Sequence, residues 1–123
     1  MSEATTIIRR YIDLVGAHDL APLDELFADD LVGTLAGATF GKAEWIAALE
    51  RLLPVVLRND IREVFDGDST AAVFYDFVTD TDAGAVPCAE RITVRDGAIT
   101  TVELIFEKAK WNLVMAALQE RSR

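Results

Sequence analysis

The chain has 123 residues, 51% of them hydrophobic and 27% charged, with a formal net charge of −9 and a pI near 4.4. That length supports a single domain, residues 1–123, around one core, and the acidity argues against a nucleic-acid partner. Cys88 is the one cysteine, which excludes an intramolecular disulfide and a cysteine-cluster metal site. No apolar run reaches bilayer length and the first residues do not read as a leader, so a cytoplasmic protein without membrane contact is expected.

In residues 3–15, Ile7, Ile8, Tyr11, Ile12, Leu14 and Val15 fall on one helical stripe, and Gly16 stops it. The turn that follows carries His18, the single histidine, at the surface. A second short helix is expected from Asp19, with Pro22 in its first turn and Leu20, Leu23, Leu26 and Phe27 inward. Ala28-Asp29-Asp30 ends it, and residues 31–35 read as a short strand. The spacing of Trp45, Ile46, Leu49, Leu52 and Leu53 predicts a third helix over 42–53, closed by Pro54.

From Val56 onward the period changes to that of strands, over 56–65, 69–80, 85–95 and 98–107. The last two flank Asp96-Gly97, the strongest short-range hairpin signal. A final helix, 108–121, places Trp111, Leu113, Val114, Ala117 and Leu118 at helical spacing. Helices first and a long antiparallel meander after make an α+β layout, with one sheet face buried against the N-terminal helices. Curvature of such a sheet leaves a cone-shaped interior suited to a pocket.

That order, carried by IIRRYIDLVGAHDLAPLDELFADDLV (7–32), FGKAEWIAAL (40–49) and ERITVRDGAITTVELIFE (90–107), resembles the nuclear transport factor 2-like superfamily. Its members include ketosteroid isomerases, limonene epoxide hydrolases and SnoaL-type polyketide cyclases. The resemblance implies a cone-shaped, cystatin-like fold, a small apolar ligand in the cone and a homodimer through the outer sheet face. It also implies that Tyr11 stands where ketosteroid isomerases place the phenol of their oxyanion hole, and Glu90 near their second, protonated donor. The isomerase general base falls at or next to Leu35, where no carboxylate stands. Against the epoxide hydrolase triad, Asp76 matches one acid, while Phe74 and Leu104 occupy the positions of the arginine and the other aspartate.

The residues themselves give a compatible reading. Glu90 is in phase with Ile92 and Val94, so if those face a core it does too. With the intervening turn centred near Asp82, residue 76 lies opposite about 88, and Asp76 and Glu90 become diagonal neighbours if they share a face. Two carboxylates in an apolar cavity repel, which raises one pKa and leaves an acid beside a base. Periodicity leaves the face open, because Val73, Tyr75 and Phe77 alternate as well as Phe74, Asp76 and Val78. The expectation is an acid/base site of Glu90, Asp76 and Tyr11 acting without metal or organic cofactor on an apolar carbonyl-bearing molecule, as in an isomerase, cyclase or hydrolase. Phe27, Trp45, Phe74, Cys88, Leu104, Phe106 and Trp111 would line it. The alternative is a non-catalytic ligand-binding or dimerisation module of the same fold.

Overall fold

The structure is a computed structural model that describes residues 2–122. Helix α1 (Glu3–Gly16) begins where the Ser2 hydroxyl accepts a hydrogen bond from the Thr5 N–H at 3.2 Å. That bond replaces a partner the first helical turn lacks. Ile8, Tyr11, Ile12 and Val15 of its inward stripe are buried. The helix ends hard against the sheet: a Cβ on Gly16 would stand 2.6 Å from the Asn59 nitrogen, so the approach requires glycine. His18 turns the chain at φ 62°, and its exposed ring places Nε2 2.6 Å from the Val56 carbonyl, tying the helix end to the sheet.

The chain continues through α2 (Leu23–Leu26), β1 (Phe27–Leu35), β2 (Ala38–Phe40), α3 (Lys42–Leu52), β3 (Val56–Asp66), β4 (Thr70–Thr79), β5 (Ala85–Arg95), β6 (Ala98–Phe106) and α4 (Lys108–Arg121). The strands form one sheet in the order β2-β1-β6-β5-β4-β3. The four strands β3 to β6 form the expected antiparallel meander, and β1 joins β6 in parallel, so the sheet as a whole is mixed. These two strands come from opposite ends of the chain, and a parallel pair needs such a long connection.

β1 also starts earlier than expected, at Phe27, which reduces the second helix to the single turn of α2. Asp29-Asp30, read as a helix stop, instead lies exposed within the strand, between Phe27 and Val32 where its register shifts. The short β2 was not anticipated, since three residues carry no period of their own.

Register shifts in β3 and between Thr93 and Val94 mark bulges along the long strands, and bulges bend a sheet. The curved sheet wraps the N-terminal helices. Its inward face is built by Ala71, Val73, Tyr75 and Phe77 of β4 and Val86, Cys88, Glu90 and Ile92 of β5, all buried. Its outer face exposes Phe65, Phe74 and Ile105.

Helix α4 is capped by Glu107, whose carboxylate accepts from the Lys110 N–H at 2.7 Å. It buries Trp111 and Val114, and Arg121 holds its far end to Asp80 at 2.7 Å and to the Pro54 carbonyl at 3.3 Å. Leu113 is exposed, because two residues beyond Trp111 the helix has turned through more than half a revolution. Among the described residues no helix is long and apolar enough to cross a membrane.

Candidate functional site

Glu90 is the anomaly of the interior. It is 4% exposed, on the face of β5 that also carries Val86, Cys88 and Ile92. The Tyr75 hydroxyl donates to its Oε1 at 2.5 Å, and its Oε2 has no hydrogen-bond partner. Burial pushes the carboxyl up from its ordinary value of 4.5 to about 7, against the lowering effect of Tyr75 and then of Tyr11. Tyr11 therefore acts on this carboxyl from close by, without completing a bond to Oε2.

Tyr11 is itself positioned from two sides. Phe27 packs edge-on to its ring at a centroid distance of 5.4 Å, and the Trp45 Nε1–H donates to its hydroxyl at 3.1 Å. The phenol oxygen thus accepts from Trp45 and keeps its own proton to donate. Burial, and after it the charge of Glu90, raises the Tyr11 pKa well above the ordinary phenol value, and the same two causes raise that of Tyr75. Trp45 can lie where it does because β1 has no side chain at Gly33: a Cβ there would stand 2.3 Å from the indole ring.

Beside Glu90 lies a small void of about 20 Å³ bordered by Tyr11, Asn59, Tyr75, Phe77 and Leu104. Beyond it, between α3 and α4, opens an apolar pocket of about 530 Å³ lined by Trp45, Leu49, Leu52, Leu104, Trp111 and Leu118, a size typical of small-molecule sites. Leu49, Leu52, Leu104 and Trp111 border both spaces and form the wall between them. Trp111 is set by stacking on Phe106, with ring centroids 4.3 Å apart. Leu35 lines the larger of these two spaces with an apolar side chain.

The expected partnership of Asp76 with Glu90 does not form. The structure pairs Asp76 with Pro87, Tyr75 with Cys88 and Val73 with Glu90, one residue away from the expected register. A slip of one residue exchanges the two faces of a strand. The turn sets this register: the Thr79 N–H bonds the Gly84 carbonyl at 2.9 Å, and Gly84 adopts φ 63°. Asp76 accordingly sits on the outer face, where Arg62 donates to it. Phe74 shares that face, 50% exposed and edge-on to Phe65 at 5.8 Å, so it does not line the interior either.

Tyr75 occupies the diagonal that Asp76 was expected to take. The legible signal for it was the alternation Val73-Tyr75-Phe77, which carries no charge and so suits an inward face better than Phe74-Asp76-Val78. Cys88 faces the interior beside Tyr75, and burial, followed by the Glu90 charge, pushes its thiol up to about 12. It behaves as a small apolar side chain. The described residues gather no group of three or more His, Cys, Asp or Glu side chains suited to a metal ion.

What this arrangement can do chemically is limited and definite. A carboxyl titrating near neutrality can give or take a proton, a phenol beside it can donate to an oxygen, and an apolar pocket adjoins both.

A family model described as a SnoaL-like domain matches residues 8–102. No curated protein matches the sequence. Among solved structures, the chain is similar to a protein from Kribbella flavida DSM 17836, with a TM-score of 0.84 at 22% identity over 98% of this chain and 99% of that one. It is also similar to a steroid delta-isomerase from Pseudomonas aeruginosa, with a TM-score of 0.78 at 15% identity over 98% and 92% of the two chains. An LEH-like epoxide hydrolase of M. tuberculosis matches with a TM-score of 0.72 at 18% identity over 96% and 90%. At these identities the likeness is one of fold, and a fold hosts many reactions.

Proposed function

Because the chain belongs to the SnoaL-like domain family, we propose that it binds a small apolar molecule with a carbonyl or hydroxyl oxygen at its inner end, and that Glu90 exchanges a proton with that molecule. The observation that carries the reading is the buried Glu90 carboxyl, with one oxygen held by Tyr75 and the other unpartnered beside Tyr11. The apolar body of the ligand occupies the 530 Å³ pocket, and its oxygen reaches the inner void when the wall of Leu49, Leu52, Leu104 and Trp111 gives way. Tyr11 donates to the oxygen while Glu90 acts as acid or base, the chemistry of an isomerase or a cyclase. No cofactor enters this scheme. Leu35 favours a second reading, binding without turnover, because it offers the pocket an apolar side chain at or next to the position that the resemblance to the isomerases implies for their base. We also propose that the outer sheet face joins two copies in a homodimer.

The test is a titration with 2-decalone, an apolar ketone, followed by the fluorescence of Trp45 and Trp111. A ketone oxygen accepts from neutral Glu90 and is repelled by the carboxylate, so affinity is expected to fall roughly tenfold as pH rises through neutrality. Tyr11 and Tyr75 are raised well above the phenol range and Cys88 to about 12, so none of them ionises in that window. Glu90→Gln should give a flat profile. A flat wild-type profile, or the same slope in the variant, would contradict the reading.

A further inference from the structure

We propose that the oxygen at the inner end of the ligand belongs to a hydroxyl, as in an alcohol, a phenol or an enol, and that Asn59 selects it. The inference rests on the binding reading above and adds a residue that neither the sequence nor that reading singled out. Asn59 stands on β3 opposite Phe77, on the inward face of the sheet, and borders the same void as Glu90. Its Nδ2 donates to the Ile12 carbonyl at 3.0 Å, which fixes the amide and leaves Oδ1 as its free end. The bare backbone of Gly16 packs against the same residue and restrains it.

Oδ1 is closed off from solvent and has no hydrogen-bond partner. Among the described residues the only other side-chain atom in that condition is Oε2 of Glu90. Buried acceptors are rarely left unpaired, since the lost hydration is not recovered. Both atoms belong to residues that border one void of about 20 Å³, and that void is a place for one small polar group.

The donors and acceptors around that place decide which group. The Tyr11 hydroxyl already accepts from Trp45, so toward the void it donates. Asn59 Oδ1 can only accept. A carbonyl oxygen accepts from Tyr11, and from Glu90 while that carboxyl is neutral, but meets Asn59 lone pair to lone pair. A hydroxyl satisfies both, accepting from Tyr11 and donating to Asn59. Sites that leave a buried acceptor unpaired discriminate strongly against the ligand responsible.

The experiment compares 2-decalol with 2-decalone, which share a skeleton, by calorimetry at neutral pH. Wild type is expected to bind the alcohol at least about tenfold more tightly. In Asn59→Ala that ratio should fall to about one. Circular dichroism checks that Asn59→Ala folds; if it does not, the wild-type ratio alone decides. Equal affinities in wild type, or a preference that survives in folded Asn59→Ala, would overturn the inference and leave Asn59 bonded to a water only. A flat pH profile for the ketone alongside a preserved alcohol preference would remove the Glu90 reading and leave the selection by Asn59 standing. Failure of both probes to bind would overturn the two together.

Discussion

Glu90 is held against its own solvation. In the unfolded chain its carboxyl ionises near 4.5, and in the fold near 7, so the folded state holds the proton more tightly. The sign follows from linkage: the stability tied to this proton is complete below about 4.5 and is lost as pH rises through about 7. The whole effect is on the order of 3 kcal/mol. Glutamine keeps an oxygen for the Tyr75 hydroxyl but cannot ionise. Urea unfolding of Glu90→Gln should therefore show a much shallower loss of stability than wild type between mildly acidic and mildly alkaline pH. Parallel slopes for the two proteins would mean that Glu90 ionises as an ordinary surface carboxylate does. Cys88, two residues away on the same face, shows the other outcome of burial: its thiol stays neutral and simply fills space.

At the scale of elements, legibility in the sequence follows the length of each periodic run. Helix α1, the four long strands and the Asp96-Gly97 turn emerge clearly because each repeats its pattern over many residues. Leu23, Leu26 and Phe27 share helical spacing, which predicts a helix through Phe27, whereas in the structure Phe27 pairs with Ile99 of β6. That pairing is a contact between distant parts of the chain, and no local pattern carries it. The site divides along the same line. The burial of Glu90 and Tyr11 is legible, since an acid in phase with Ile92 and Val94, and a phenol on an apolar helical stripe, are local facts. Asp76 was misplaced by a one-residue register that depends on how residues 80–84 turn. Tyr75 was lost with it, for the same reason. Asn59 was invisible because its significance lies in an unpaired atom, and pairing is a property of the packed interior.

At the scale of the molecule, the curved sheet separates two environments that serve different ends. Its inward face and α1 enclose the carboxyl, while α3 and α4 frame the apolar pocket that leads toward it. Its outer face leaves Phe65, Phe74 and Ile105 open, a patch of the kind that marks an interface. If two copies meet there, native mass spectrometry at micromolar concentration should show a dimer for wild type and a monomer for Phe74→Lys. A monomeric wild type, or a dimer indifferent to this substitution, would place the interface elsewhere or remove it.

The proposed chemistry depends on the unusual proton affinity of one group, and that quantity can be read without any ligand. The carboxyl carbon of Glu90, followed by carbon-detected NMR across a pH titration of the native protein, is predicted to show its midpoint near 7. A midpoint near the ordinary 4.5 would contradict the account at its centre.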